Sequence, residues 1–149
     1  TVGLGTDGPA SNNNLDLFEE MDTAAKLHKL FRGDPTVLPA REVFKMATLG
    51  GAQALGLAHR VGSIEVGKLA DLALIDVRRP ELTPLYDVYS HLVYAIKGAH
   101  VQTLVVGGRI VMRDRRMMTI DIEEVMSRAR EIQKRILRSL KPPKSEAER

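Results

Sequence analysis

The chain begins with a short strand-like segment that has no second strand near it in the sequence. In residues Val2–Thr6, Val and Leu alternate with Gly3 and Gly5, and Asp7-Gly8-Pro9 follows at once. Two glycines in five residues indicate a crowded place, where another backbone or a ligand comes close. Because a lone strand cannot form a sheet, we expect the segment to belong to the end of a larger α/β unit that a small β module follows.

Two helical segments are predicted after this strand. Asn13 or Asn14 is a suitable N-cap for the first helix, and Gly33 is expected to end it. The apolar face of the first helix would consist of Phe18, Met21, Ala25 and His28. Pro39 suits the first turn of the second helix, and Gly50-Gly51 is predicted to break that helix in two. Its buried residues would be Val43, Phe44, Ala47, Ala52 and Leu55.

Beyond the helices the pattern is that of β-structure. The stretch GSIEVGKLADLALIDV predicts a glycine-turned hairpin. Its buried strand would hold Leu72, Leu74 and Ile75. A second hairpin is predicted around Gly107-Gly108, because β-branched runs flank a two-residue turn suited to positive φ. We expect residues Leu69–Val77 to pair with residues Val101–Met112.

A last helix is predicted to begin at Asp121, with Glu124 completing a capping box. One face of this helix is apolar. It consists of Ile122, Val125, Met126, Ala129, Ile132, Ile136 and Leu140. We expect this helix to cover the hairpin strands.

Composition and charge exclude several classes of function. The chain has no cysteine, which excludes a disulfide framework and a thiolate metal site and favours a cytoplasmic location. No apolar run approaches the roughly 20 residues that span a bilayer, so no membrane partner is expected. The formal charge of +3 is modest, and aromatic stacking platforms are lacking. We therefore interpret the basic C-terminal region as a solvated surface and expect no nucleic-acid partner.

Asp7 has two interpretations from the residues alone. In α/β folds, catalytic side chains lie at the carboxyl ends of parallel strands, where a carboxylate can bind a metal ion or accept a proton. Asp-Gly is also a common turn pair, so Asp7 could simply stabilise the turn.

Four stretches resemble the metal-dependent amidohydrolase superfamily. LGTDGPASNNNLDLFEEM is similar to the last barrel strand and loop of the branch that contains 5-methylthioadenosine/S-adenosylhomocysteine deaminases, with guanine deaminases and triazine chlorohydrolases as relatives. EVFKMATLGGAQALGL resembles the helical segment after the barrel, and GSIEVGKLADLALID resembles the return into a β-sandwich. HLVYAIKGAHVQTLVVGGRIVMRD is similar to the closing strands of that sandwich. The resemblance runs from Val2 to about Met126.

The resemblance implies an α/β fold with three parts and a tail. Residues 1–57 would be the last strand and helices of a TIM-type (β/α)8 barrel, and residues 58–120 part of a small β-sandwich. Residues 121–141 would be the C-terminal helix, and residues 142–149 a disordered tail. The apolar face of the helix would pack on its own barrel or form a subunit contact in a homo-oligomer.

The resemblance also assigns roles to residues of the first motif. Asp7 becomes the catalytic and metal-ligating carboxylate at the end of the eighth barrel strand, where it accepts a proton from a water molecule on the metal. The metal would be Zn²⁺, with another divalent ion such as Fe²⁺ as the alternative. Thr6, Ser11, Asn12 and Asn13 would support the ligand or shape its loop.

The other metal ligands of the family do not occur in this chain. They are an His-x-His pair and two further histidines, and a glutamate proton shuttle accompanies them. The four histidines of this chain, His28, His59, His91 and His100, do not match those motifs. The resemblance therefore implies that the chain is a C-terminal fragment, inactive alone, of a protein that deaminates an adenine nucleoside thioether. Alternatives are a guanine or triazine substrate, or another amino-substituted heterocycle, and a non-catalytic β-sandwich interaction module when the chain is isolated.

Overall fold

The computed structural model describes residues 1–140 and has an α/β architecture. Its α-helices are α1 (Pro9–Asn12), α2 (Leu17–Arg32), α3 (Ala40–Lys45), α4 (Gly51–Ala54), α5 (Val88–Ser90) and α6 (Ile122–Ser139). Its strands are β1 (Leu72–Ile75), β2 (Val101–Val106), β3 (Arg109–Arg113) and β4 (Arg116–Met117). Residues Met46–Gly50 and His91–Ala95 form π-helical turns, and residues Pro80–Leu82 and Gly98–His100 form 3₁₀ turns.

The hydrophobic core lies between α2, α3 and the turn after α5. Met21 and Ala25, four residues apart on one face of α2, pack with Val43 and Val93. Phe18, predicted on that face, is partly buried against this cluster, as are Phe44 and Ala47, which were predicted to be buried in the second helix. His28 was predicted on the same face, but it is exposed, and its Nδ1 lies 2.9 Å from the carbonyl oxygen of Ala24.

The N-cap of α2 differs from the prediction. Asp16, not Asn13 or Asn14, caps the helix, because its Oδ1 accepts the backbone N–H of Phe18 at 3.0 Å. Asn13 instead follows the last turn of α1, with φ of 65°. The end of α2 at Gly33 is confirmed, since Gly33 adopts φ of 62°. Several polar residues before a helix can cap it, and the chain path selects one of them.

Residues 2–6 do not form the predicted strand. Within the described chain the sheet contains only β1 to β4, and the backbone N–H of Leu4 bonds instead to the carbonyl oxygen of Met46 at 3.3 Å. A strand needs a partner ladder, which the pattern of one segment cannot supply. The crowding predicted at Gly3 is confirmed, because a Cβ there would lie 2.7 Å from the Cα of Gly51. At Gly5 it is wrong, since nothing lies within 4 Å.

The predicted break at Gly50-Gly51 is also wrong. Both glycines have helical dihedral angles, and α3 continues through the π-helical turn into α4. A Cβ on Gly50 would lie 2.9 Å from the carbonyl oxygen of Lys45 and 3.0 Å from that of Val2. The glycines therefore allow the N-terminal segment to approach the helix, a reason for glycine that local sequence does not reveal. Leu55, predicted to be buried, is 75% exposed.

The second hairpin and the pairing of distant strands are confirmed. Gly107 and Gly108 adopt φ of 55° and 78° and connect antiparallel strands β2 and β3. Strand β1 pairs antiparallel with β2, and Leu72 lies opposite Val105. The sheet order is β1-β2-β3-β4.

The first predicted hairpin is wrong. Residues 62–71 contain no strand, and the backbone N–H of Leu69 bonds to the carbonyl oxygen of Arg60 at 2.8 Å. The only strand of this stretch is β1, and its partner lies about thirty residues further along the chain. Leu72 and Ile75 are partly buried, whereas Leu74 is 50% exposed.

Helix α6 begins as predicted but packs differently. The Oδ1 of Asp121 accepts the backbone N–H of Glu124 at 3.1 Å. The apolar face is exposed, with 51% of Ile132 and 52% of Ile136 accessible, so α6 does not cover the hairpin strands. The period of a helix predicts that one face is apolar but not which surface covers it. Among the helices of residues 1–140, none is long and apolar enough to cross a bilayer. The tail predicted for residues 142–149 lies outside the described residues.

Candidate functional site

Asp7 lies where the extended N-terminal segment turns into α1. The residue is exposed and has φ of 55°, a left-handed conformation that few residues other than glycine adopt readily. Aspartate is one of those few, because its short side chain can bond to the neighbouring backbone. The sharp turn places the carboxylate at the end of the segment. Both interpretations of Asp7, as a functional carboxylate and as a turn residue, predict this position.

Two hydrogen bonds hold the Asp7 carboxylate. Its Oδ2 accepts the hydroxyl of Ser11 at 2.7 Å, and its Oδ1 accepts the backbone N–H of Gly8 at 2.7 Å. The Ser11 bond, followed by the Gly8 bond, lowers the pKa of Asp7 below its ordinary value. The carboxylate is therefore ionised at neutral pH. Each oxygen has a second lone pair, which can accept a proton or bind a cation.

Thr6 and Ser11, both predicted to support Asp7, touch it directly. The hydroxyl of Thr6 donates to the backbone carbonyl of Asp7 at 3.2 Å. The Oγ of Ser11 also lies 3.0 Å from the carbonyl oxygen of Gly8, so it bridges the two residues. These contacts join the Asp7 turn to the body of α1.

Asn12 and Asn13 form hydrogen bonds close to the Asp7 turn but none with Asp7 itself. The side-chain amide of Asn12 donates to Oε1 of Glu20 at 2.5 Å. The backbone N–H of Asn13 bonds to the carbonyl oxygen of Pro9 at 3.0 Å and closes α1. Sequence reasoning missed Glu20, although an amide eight residues before an acid in an early helical turn could have indicated the pair.

Asp7 fits a metal ion as one ligand of several. A catalytic zinc site uses three protein ligands and an open position. Within residues 1–140, no group of three or more His, Cys, Asp or Glu residues is placed to hold a metal ion. Two histidines bond to nearby groups: His91 Nδ1 lies 3.0 Å from the carbonyl oxygen of Asp87, and His100 Nε2 lies 3.1 Å from Glu81 Oε1. The described chain thus offers the Asp7 carboxylate as one possible ligand, not a complete metal site.

One cleft of the described chain lies apart from Asp7. Its volume is about 760 Å³ and its walls are mostly apolar. It is lined by residues of the N-terminal segment, α2, α3 and β1, among them Leu4, Phe18, Phe44, Leu72 and Ile75. Asp7 does not line it, and the one ionisable residue that does is Asp71. The cleft therefore supplies no reactive group beside the candidate carboxylate.

A family profile and sequence relatives match most of the chain. The profile described as "Amidohydrolase family" matches residues 1–111. The chain is 56% identical over 141 residues to a 5-methylthioadenosine/S-adenosylhomocysteine deaminase of Syntrophobacter fumaroxidans, covering 95% of this chain and 31% of that protein. It is 54% identical over 129 residues to a 5′-deoxyadenosine deaminase of Methanosarcina acetivorans, covering 87% of this chain and 29% of that protein. The chain spans about a third of the length of these relatives.

Solved structures have the same fold as the chain. An adenosine deaminase from Xanthomonas campestris with bound zinc superimposes with a TM-score of 0.87 at 43% identity, over 90% of this chain and 30% of that one. The atrazine chlorohydrolase of Arthrobacter aurescens, complexed with zinc, gives a TM-score of 0.76 at 30% identity, over 89% of this chain and 29% of that one.

Proposed function

This chain belongs to the Amidohydrolase family, and on that basis we propose that the whole protein hydrolyses the exocyclic C–N bond of an adenine nucleoside. The observation that carries this proposal is the difference between two identities. The chain is 56% identical to a deaminase of 5-methylthioadenosine and S-adenosylhomocysteine, but 30% identical to a chlorohydrolase of atrazine. A hydrolase that acts on carbon–nitrogen bonds other than peptide bonds is therefore favoured over a dehalogenating enzyme.

The proposed substrates are adenine nucleosides modified at the 5′ position. The names of the two relatives include 5-methylthioadenosine, S-adenosylhomocysteine and 5′-deoxyadenosine, which share the adenine amine and differ at the 5′ carbon. In the reaction, the oxygen of water attacks the ring carbon that bears the amine. The C–N bond then breaks, ammonia leaves, and a ring carbonyl remains. Guanine and triazine substrates remain the alternative, and an isolated chain would act at most as a non-catalytic module.

Asp7 would accept a proton in this reaction. A bound Zn²⁺, or another divalent ion such as Fe²⁺, would lower the pKa of water towards neutrality and so make it a nucleophile. The Asp7 carboxylate suits proton acceptance because it is exposed and ionised, with lone pairs left beside its bonds to Ser11 and Gly8. Ser11 and Thr6 would hold it in place. Asn12 and Asn13 would keep the loop in shape.

The placement of the chain in a larger fold is part of the proposal. Residues 1–57 would close a (β/α)8 barrel, in which the extended residues 2–6 gain the strand partners that they lack in the described chain. Residues 58–120 would form part of a β-sandwich around the four-stranded sheet, and residues 121–141 the C-terminal helix. The exposed face of α6 would pack on that barrel or in a homo-oligomer. A cytoplasmic location also stays a prediction, based on the cysteine-free sequence.

The test is an assay of the whole protein supplied with zinc. Ammonia release should be measured with 5-methylthioadenosine, S-adenosylhomocysteine, 5′-deoxyadenosine and guanine, and chloride release with a chlorinated triazine, under otherwise identical conditions. Turnover of the three adenine nucleosides above the other two supports the proposal, and a preference for guanine or triazine contradicts it.

A further inference from the structure

Asp16 joins the start of α2 to a distant turn of the chain. Its Oδ1 accepts the backbone N–H of Phe18 at 3.0 Å, and its Oδ2 accepts the backbone N–H of Gly98 at 2.9 Å. The second bond spans 82 residues. A Cβ on Gly98 would lie 3.2 Å from Oδ2 of Asp16, so the close approach favours glycine at that position. Both carboxylate oxygens are thus committed to backbone donors.

The turn that presents the Gly98 N–H is itself held by local bonds. The backbone N–H of Lys97 donates to Nδ1 of His100 at 2.9 Å, which leaves Nε2 of that ring to donate to Glu81 at 3.1 Å. The Nζ of Lys97 also lies 3.6 Å from Oδ2 of Asp22, six residues after Asp16 and within α2. The turn therefore meets α2 at two acidic side chains, and Asp16 is the one at the end of the helix.

The loop that carries Asp7 is fastened to the same end of α2. The side-chain amide of Asn12 bonds to Glu20 at 2.5 Å, and that of Asn14 bonds to Glu19 at 2.6 Å. The backbone N–H of Asp16 donates to Oδ1 of Asn14 at 3.2 Å. All these bonds end on the first turn of α2 or on its cap. The position of that turn consequently determines the position of the loop.

We propose that Asp16 is a positioning residue for the Asp7 carboxylate. By fixing the first turn of α2 to Gly98, it fixes the loop through Asn12 and Asn14, and so the point at which Asp7 meets its reaction partners. The role in turnover rests on the proposed function; the role in holding the loop does not. Asp16 touches no reacting atom and acts only through its neighbours.

The Asp16→Asn variant of the whole protein tests this inference sharply. Asparagine keeps the shape but has a single acceptor oxygen, so its amide must face the N–H of either Phe18 or Gly98. We expect kcat to fall by about tenfold or more, because small displacements of a reacting group are costly, with KM changed by less than about twofold. The matched control is Asp121→Asn, which also removes a carboxylate cap but one that accepts a single bond, from Glu124. It should leave both constants unchanged.

A double-mutant cycle with Gly98→Ala shows whether the contact itself matters. The added Cβ crowds the same Asp16 oxygen, so the losses in kcat from the two variants should not add. Additive losses, an unchanged kcat in Asp16→Asn, or a change confined to KM would overturn the inference. If Asp16→Asn does not fold, Gly98→Ala alone must lower kcat with KM unchanged for the inference to stand.

Hydrogen exchange gives a measurement that does not depend on activity. Backbone amides of residues 8–14 should exchange faster in Asp16→Asn than in the wild-type protein or in Asp121→Asn, while those of β2 and β3 remain unchanged. Unaltered exchange in residues 8–14 would refute the inference even if the whole protein deaminated none of the tested substrates. A wild-type protein without deaminase activity, but with faster exchange in the variant, would refute the proposed function alone.

Discussion

The hydroxyl of Ser11 donates to Oδ2 of Asp7 at 2.7 Å, across the single turn of α1. This bond makes the short helix and the carboxylate one rigid unit. It also gives the carboxylate a neutral donor that favours its charged form, as the lowered pKa of Asp7 reflects. The surroundings of the Asp7 carboxylate are thus built from neighbours in sequence, so they form in a chain that spans about a third of the length of its relatives.

Replacing Asp7 by asparagine should abolish most turnover of the whole protein. The change keeps the shape and removes the proton acceptor, whose contribution is typically about 10²- to 10⁴-fold. The measurement is kcat for ammonia release. Asp114→Asn is the matched control, because Asp114 also has a positive φ, 48°, in a turn. Near wild-type turnover in Asp7→Asn would show that Asp7 only stabilises the turn.

Substrate preference should follow the adenine amine. With zinc present, the whole protein should release ammonia from S-adenosylhomocysteine or 5-methylthioadenosine faster than from guanine or cytosine. The comparison is of kcat/KM in one assay that detects ammonia. A higher kcat/KM for guanine would contradict the proposal and favour the alternative, a guanine substrate.

The isolated chain should neither bind zinc tightly nor deaminate adenine nucleosides. Ligands must converge within about 2.0–2.2 Å of the ion, and Asp7 is the one ligand that the matched motif offers. Metal analysis after dialysis and an ammonia assay check this prediction. Hydrogen exchange should be fast in residues 2–6 and slow in residues 101–112, which form β2 and most of β3. Stoichiometric zinc in the dialysed chain would contradict it.

Gly3→Ala should destabilise the protein. The new Cβ would lie 2.7 Å from the Cα of Gly51, and backbone atoms can move aside only by shifting the helix. Overpacking of this kind costs about 1–3 kcal/mol in free energy of unfolding. Urea denaturation measures it, with Gly5→Ala as the control because its Cβ would meet nothing within 4 Å. Equal stabilities of the two variants would refute the steric explanation.

Stability should depend on pH through Asp34. The hydroxyl and the backbone N–H of Thr36 lower the pKa of Asp34 from its ordinary value of 3.8. A lowered folded-state pKa stabilises the protein above the unfolded-state pKa, and this contribution is lost as the pH falls through the folded-state value.

Thr36→Ala removes the hydroxyl donor and tests this dependence. Relative to the wild-type protein, the variant should lose free energy of unfolding at pH 7, and the difference should shrink below pH 3.8. Urea denaturation over a pH series measures it. A difference that stayed constant through that range would exclude the Asp34 carboxylate as its source.

Local sequence patterns correctly predicted the turns and helix ends whose contacts lie within a few residues. The turn at Gly107-Gly108, the end of α2 at Gly33 and the cap of α6 at Asp121 each depend on residues within a few positions, and each is confirmed. The contacts of Ser11 and Thr6 with Asp7 are equally local, and the support that these residues give to a catalytic carboxylate stays a prediction. Contacts between residues close in the sequence can therefore be predicted from the sequence itself.

The errors concern partners that are distant in sequence. Gly50-Gly51 resembles a helix break until residues 2–4 are known to pass beside it, and residues 2–6 resemble a strand although no ladder partner lies beside them in the described chain. The partner of β1 is β2, which no local turn signal connects to it. Asp16 likewise shows its second bond, to Gly98, only in three dimensions.

The contact between Gly3 and Gly51 limits how far the N-terminal segment, and with it Asp7, can shift along the helix. Because only glycine fits at this crossing, the segment cannot slide along the helix by one residue without forcing the side chain of Val2 or Leu4 against a backbone. Such a slip would move Asp7 by about 3.3 Å, which exceeds the length of a bond from a carboxylate to a zinc ion. The glycine crossing therefore fixes the register of the segment on the helix, and with it the place of the carboxylate that the proposed zinc site would need.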